Sequence, residues 1–128
     1  MISQLPAGAA QRRRFQRRLR LSNGWEYRRV FECAVRCSDR AFTVLARANC
    51  GEYPRLGLAI SKKCARQATA RNHIKRLVRE SFRAAQHELP AVDLVVLCRP
   101  VVNDMTRDEL TAALERHWRC VKKRCKKP

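Results

Sequence analysis

Acid is what this chain has least of. Eleven Asp and Glu stand against 29 Lys and Arg in 128 residues, a formal charge of +18. Asp93, Asp104, Asp108 and Glu109 are carboxylates near the later strand and the start of the last helix, and three of them fall at a helix start where capping explains them. A two-metal nuclease needs a convergent acidic cluster, which this pattern does not offer, so intrinsic catalysis is not expected. Glycine is scarce too. None of the four glycines follows a phosphate-loop pattern, so no nucleotide cofactor is indicated. No stretch approaches the about 18 apolar residues of a membrane helix. Met1 to Ala10 is too short and too weakly apolar for a secretion signal, and a soluble, unexported protein is expected. Close Cys-x-x-Cys knuckles are missing, which makes His117-x-x-Cys120-x-x-x-x-Cys125 and Cys33-x-x-x-Cys37 poor zinc frameworks. The seven cysteines form an odd set without framework spacing, so reduced thiols in a cytoplasm are expected, with Cys98 buried.

What the chain does have is positive charge in three places. Residues 1–20 carry +6, residues 61–83 carry +7 and residues 116–128 carry +7, which leaves −2 on all the rest. The body is therefore an ordinary globular surface, long enough for a single domain that buries roughly two-thirds of its unfolded surface. Such concentrated charge is repaid by a polyanion. Folded RNA is the first expectation, and an anionic membrane surface is the weaker one.

The Arg-rich first residues lack an apolar period and are expected to act as a basic extension over 1–18. Asn23 can cap a short helix with Glu26 at its third position, and Tyr27, Val30, Phe31 and Ala34 follow at helical spacing. Between Arg40 and Asn49 the side chains alternate, Phe42, Val44 and Ala46 against Thr43, Leu45 and Arg47, which is a strand. Val35 to Ser38 offers thinner evidence of a strand before it. After Asn49 to Pro54, Leu56 to Ile60 forms another strand, and a hairpin is the simplest connection. Val92 to Cys98 reads as a buried strand, which makes the segment between the last two strands a β-α-β crossover. Thr106-Arg107-Asp108-Glu109 is a capping box, and Leu110, Ala113, Leu114, His117, Trp118 and Val121 trace one face of a final helix. His87 and His117 have no partnered nucleophile in sequence and read as surface or helix-packing residues.

The crossover segment carries the strongest signal. From Ala70 to His87, at ~100° per residue, Arg71, Lys75, Arg79 and Arg83 climb one ridge beside Asn72 and Arg76, while Ile74, Leu77, Val78, Phe82 and Ala85 occupy the opposite arc. Helices that merely solvate a surface interleave acids with bases. This one reads as a docking face for RNA, stopped by Pro90.

These motifs, in this order, resemble the protein subunit of bacterial ribonuclease P over about residues 19–121, followed by a basic tail over 122–128. The resemblance rests on Tyr27-x-x-Val30-Phe31, Arg55-Leu56-Gly57-Leu58, Ser61-Lys62-Lys63, the run from Arg71-Asn72-His73 to Arg83, and Leu89-Pro90-x-x-Asp93. It implies an α/β sandwich like the second domain of ribosomal protein S5, in the order α-β-β-β-α-β-α. Its β-α-β crossover would be left-handed, where unaided physics expects the right-handed form in about 98% of cases. It further implies a ribonucleoprotein that removes the 5′ leader from precursor tRNA. The RNA subunit, with its Mg2+, performs the hydrolysis, and no cofactor is bound by the protein alone. Lys62, Lys63, Arg71, Asn72, His73, Lys75, Arg76 and Arg79 would engage the ribonuclease P RNA. Tyr27, Phe31, Thr43 and Leu45 would form the leader-binding cleft. Neither DNA nor a membrane is expected as a partner. A structural ribosomal or ribosome-assembly protein is the alternative, because the fold and the charge would serve it equally.

Two positions depart from the family's usual pattern. Leu45 stands where the family often has an aromatic residue, and His73 stands where it usually has a second arginine. Histidine as a residue type changes charge near neutral pH. His73→Arg is accordingly expected to tighten binding of the RNA subunit and to flatten its pH dependence between about pH 6 and 8. An affinity of the parent protein that stays constant over that range, in a filter-binding titration, would refute it.

Overall fold

The computed structural model describes Arg20, Leu21 and residues 23–32, 34–49 and 51–125. The expected basic extension 1–18 and the last part of the expected tail, 126–128, lie outside the described residues. The elements are α1 (Gly24–Glu32), β1 (Val35–Ser38), β2 (Phe42–Ala48), β3 (Arg55–Ala59), α2 (Ala68–Ala85), β4 (Val92–Cys98) and α3 (Arg107–Arg124), with short 3-10 turns at Gln86–Glu88 and Pro100–Asp104. The four strands form one sheet in the order β1-β2-β4-β3, with β3 parallel to β4 and the other pairs antiparallel.

That order overturns the expected hairpin. β2 and β3 do not pair, because β4 lies between them. β4 is the apolar run buried on both faces from Val92 to Val96, so it gains most from the central position. The turn-like residues after β2 carry the chain across the start of β4. The Asn49 amide N–H bonds the Ala91 carbonyl at 3.1 Å, and its side-chain nitrogen reaches the Tyr53 carbonyl at 3.1 Å and Asp93 Oδ1 at 3.0 Å.

On one sheet face α2 and α3 cover the main core, which includes Phe42, Val44, Leu94, Val96, Ile74, Leu77, Phe82 and Trp118. Every residue expected on the inner arc of α2 is at least partly buried, and all six on the apolar face of α3 are buried. The capping box at Thr106 and Glu109 is formed, with bonds of 2.9 and 3.1 Å. Trp118 donates to Ser81 Oγ at 2.8 Å, tying α3 to α2. His117 packs edge-on against Phe42, with its Nε2 3.2 Å from Asp39 Oδ2.

The cysteines depart from expectation. Cys37 on β1 is bonded to Cys120 on α3, and Cys64 before α2 to Cys98 at the end of β4, while Cys125 is free. Cys33 and Cys50 lie outside the described residues. The pairings span 83 and 34 residues of sequence, and only the packed fold brings their Cα atoms within 6.3 and 5.9 Å. Sequence spacing could not announce such pairs.

α1 crosses the opposite face of the sheet and is held there by two successive rows of side chains. In the first, Arg47, Asp93 and Arg55 stand side by side on β2, β4 and β3. Arg55 grips Asp93 with two nitrogens, each at 2.9 Å, and reaches Glu26 of α1 with a third at 2.8 Å, while Arg47 donates to the Arg29 carbonyl at 3.2 Å. Asp93 holds the Arg55 guanidinium in its charged form more firmly than usual despite the desolvation, and Glu26 adds to the effect. In the second row Leu45, Val95 and Gly57 lie beneath the helix. Val30 packs there with Leu45 and Val95, and the Tyr27 ring lies on Gly57. A Cβ at Gly57 would come within 2.7 Å of the Tyr27 ring carbons, so only glycine lets α1 sit this low over β3. Asn23 caps the helix through the Glu26 amide at 3.0 Å, as expected.

Two substitutions test this seating of α1. Arg55→Ala strands the Asp93 carboxylate, whose side chain is only 9% exposed. It is expected to cost about 2–3 kcal/mol in urea unfolding, less than the ~3–5 kcal/mol of a fully buried pair because Arg55 is partly solvated. A loss within the scatter of surface substitutions would contradict the clamp. Gly57→Ala is expected to cost about 1–3 kcal/mol by overpacking. Adding Tyr27→Ala should recover part of that loss, so strictly additive losses would show that the ring and Cα do not press on one another.

Candidate nucleic-acid interface

The outward face of α2 exposes Asn72, His73 and Arg76, with Arg71, Lys75 and Arg79 half-buried along its edge. Lys62 and Lys63 are exposed on the loop that leads into the helix and share a surface hollow with Arg66. Asn72, His73, Arg76 and Arg79 line one hollow along α2, and Lys75 and Arg79 line another beside Tyr27. Arg71 does a different job from its neighbours. Its Nη1 donates to the carbonyls of Ala65 and Arg66 at 3.0 and 2.9 Å, folding the lysine loop against the first turn of the helix. Asn103 supports the same loop from beneath by donating to the Cys64 carbonyl at 2.8 Å. Arg76 lies 4.0 Å from Glu80, and Glu80 also receives Arg107 at 3.3 Å. All are exposed, so these pairs hold little energy and leave Arg76 available.

The four expected cleft residues separate into two groups. Phe31, Thr43 and Leu45 line one cavity of about 340 Å3, together with Ala34, Arg36, Leu97, Cys98 and Arg99. Phe31 is 49% exposed and offers an open ring, whereas Leu45 is buried beneath α1 and the Thr43 hydroxyl is engaged with Ser38 at 3.0 Å. Tyr27 faces away from that cavity. It lies over β3, where its hydroxyl oxygen accepts the Leu58 amide hydrogen at 3.1 Å. Tyr27 and Phe31, expected in one cleft, therefore line different hollows, because the helix straddles β4 and hands one residue to each side.

Sequence reasoning missed Arg36 and Arg99, which supply positive charge at the rim of the Phe31 cavity. Alternation along β4 would have put Leu97 on the face of Thr43, its partner in the register. Arg99 needed the sheet order. Trp25 was missed as well. It is 61% exposed on α1, and the Arg29 guanidinium lies 4.9 Å from its ring centre. Among the described residues no group of three or more His, Cys, Asp or Glu side chains is placed to hold a metal ion, and no helix is long and apolar enough to cross a membrane.

The family described as Ribonuclease P matches residues 15–122. The ribonuclease P protein component of Thioalkalivibrio sulfidiphilus is 48% identical over 114 residues, covering 89% of this chain and 95% of that protein. The component from Methylococcus capsulatus is 50% identical over 111 residues, covering 87% of each. Among solved structures, the Staphylococcus aureus RNase P protein superposes with a TM-score of 0.74 at 30% identity, covering 84% of this chain and 95% of that one. A fold of three helices on a four-stranded sheet, a basic helix face, and relatives aligned along nearly their whole length agree, and the chain belongs to the ribonuclease P protein family.

Proposed function

We propose that the chain acts as the protein subunit of ribonuclease P, partnered with the ribonuclease P RNA, and that it binds the 5′ leader of precursor tRNA during maturation of the tRNA 5′ end. The observation that carries this reading is the separation of two surfaces. α2 turns Asn72, His73 and Arg76 outward from a fully apolar arc, while an exposed Phe31 flanked by Arg36 and Arg99 opens beside α1. The first surface suits the phosphates of a folded RNA, where Arg and Lys displace condensed counterions. The second suits an unpaired strand. An aromatic face stacks on any base, and the arginines at its rim follow the backbone, which is what a protein serving many leaders requires.

In this reading hydrolysis belongs to the RNA subunit and its Mg2+, and the protein's task is to hold and orient. It works in the cytoplasm, without DNA or a membrane as partner. Arg71 contributes by fixing the Lys62–Lys63 loop as well as by its charge. Tyr27 contributes by seating α1 over Gly57, and its ring is not the open platform that Phe31 provides.

Cleavage of labelled precursor tRNA by a bacterial ribonuclease P RNA at low Mg2+, with and without this protein, tests the proposal. Protein-dependent release of the 5′ leader is expected, and none without the RNA. A lack of stimulation with a cognate RNA would sink it. Phe31→Ala is expected to weaken precursor binding by the equivalent of about 1–3 kcal/mol, the worth of one stacked base, with assembly unchanged. Arg76→Ala should do the reverse. Tyr27→Ala should spare assembly and weaken precursor binding, and a parallel unfolding curve shows how much of that loss is the seating of α1.

A further inference from the structure

Cys64, which follows Ser61, Lys62 and Lys63, is bonded to Cys98 at the end of β4, with their Cα atoms 5.9 Å apart. Cys98 stands opposite Phe42 in the sheet and lines the Phe31 cavity with Leu97 and Arg99. The bond therefore runs from the lysine loop to the strand end beside that cavity. The loop has no ladder of its own and is held by hydrogen bonds. The Ser61 carbonyl accepts the Cys64 and Ala65 amides at 3.0 and 3.1 Å, the Cys64 carbonyl accepts Asn103, and the Ala65 and Arg66 carbonyls accept Arg71. Cys37 and Cys120 differ, because both lie inside regular elements, β1 and α3, whose own hydrogen bonds keep them in place. Breaking the bond between Cys64 and Cys98 strands neither sulfur. The Cys64 sulfur lies 3.8 Å from the Arg99 carbonyl, which can accept a thiol hydrogen, and Cys98 packs against the core without being enclosed. Cys64 is 2% exposed and Cys98 is half-buried, so a small thiol or disulfide reaches the pair at Cys98. In a reducing cytoplasm, where the ribonuclease P reading puts this chain, disulfides are usually transient and serve as catalysts or sensors.

We propose that Cys64 and Cys98 form a reversible thiol–disulfide switch. Oxidised, it fixes the Lys62–Lys63 loop against β4; reduced, it leaves the loop to its hydrogen bonds, so the hold on the RNA partner follows the thiol poise of the surroundings. The proposal rests on the ribonuclease P reading for the RNA partner and the reducing compartment, and on the disulfide geometry for the rest. The oxidant is a small-molecule disulfide. The Cys98 thiolate attacks one of its sulfurs, the small S–S bond breaks and one small thiol leaves. The Cys64 thiolate then attacks the Cys98 sulfur of the mixed disulfide and expels the second small thiol. Two electrons and two protons thus pass from the two protein thiols to the small disulfide, and an excess of small thiol runs the same steps backwards.

The test begins on the protein alone, in buffers of oxidised or reduced glutathione. Differential alkylation, read peptide by peptide, is expected to find Cys64 and Cys98 joined in the first buffer and both free in the second. Amide hydrogen exchange across residues 61–66 is expected to be several-fold slower in the oxidised parent than in the reduced one. The same contrast is expected in Cys37→Ala/Cys120→Ala, which leaves the Cys64 pair intact. Cys98→Ala should exchange at the reduced rate in both buffers, and Cys64→Ala gives the same comparison should that variant fold poorly. A link that survives reduced glutathione, Cys98 joined instead to Cys33, Cys50 or Cys125, or loop exchange that ignores the oxidation state would each overturn the switch.

The second arm measures affinity for a bacterial ribonuclease P RNA in the same buffers. Ordering a flexible side chain before binding is worth about two- to tenfold in affinity, and the oxidised parent is expected to bind tighter than the reduced one by that factor. Cys98→Ala is expected to bind equally in both buffers. Equal affinity of the parent in both would overturn the control of RNA binding. Absence of RNA binding in either buffer, with alkylation and exchange as expected, would overturn the ribonuclease P reading and leave the loop switch standing, so the two failures remain distinguishable.

Discussion

The clamp of Arg55 between Asp93 and Glu26 is the interaction on which the rest of the RNA-binding geometry depends. Asp93 is charged, buried at the start of the central strand, and tolerable there only because Arg55 and Asn49 satisfy it. Arg55 in turn has a spare nitrogen, and that nitrogen holds α1. The same carboxylate therefore ends the loop from β2, joins β3 to β4 and positions the helix that carries Tyr27 and Phe31. A hydrophobic substitute could fill the volume. It could not point in three directions at once.

Once α1 is fixed at that row, what happens on either side follows from the pleat. Side chains alternate along β2, β4 and β3, so the row after the charged one must be apolar to bury Val30, and the row after that runs out from under the helix. Leu45, Val95 and Gly57 fill the buried row, and Thr43 and Leu97 belong to the next, beside Phe31. The cavity thus exists because a short helix covers only part of a longer strand. Gly57 completes the arrangement by letting Tyr27 lie over β3 at one end of the helix, while Phe31 stays exposed at the other.

Local patterns were legible in the sequence, and non-local ones were not. The capping box at Thr106, the apolar face of α3 and the two arcs of α2 are set by residues within a turn or two of one another, and each is found where spacing placed it. The hairpin failed because strand neighbours depend on which run is most apolar across the whole sheet, and that comparison favoured Val92–Cys98. The cysteine pairs were invisible for the same reason. Tyr27 and Phe31 illustrate the limit within a single helix: their spacing puts both on the sheet side, but the helix crosses the strands, and the rows beneath it send them to different pockets. Arg71 belongs to the charged ridge by periodicity, yet its guanidinium turns back onto its own loop because the carbonyls of Ala65 and Arg66 lie open there.

The distribution of acids explains how so basic a chain folds at all. Among the described residues the ion pairs of Asp93, Glu26, Glu80 and Asp39 lie at the joints between elements, where each brings together segments distant in sequence. None neutralises Lys62, Lys63 or Lys75. Apart from Glu80, which also lies 4.0 Å from Arg76, the carboxylates spent on the joints are kept off the RNA face, and the apolar arc of α2, with Ile74, Leu77, Val78 and Phe82 buried, supplies the stability that pairing would otherwise give. The repulsion left on that face is tolerable at the ionic strength of a cell because exposed charges are screened within about 8 Å. It is relieved further wherever a phosphate enters, so the same scarcity of acid that weakens the free protein strengthens the complex.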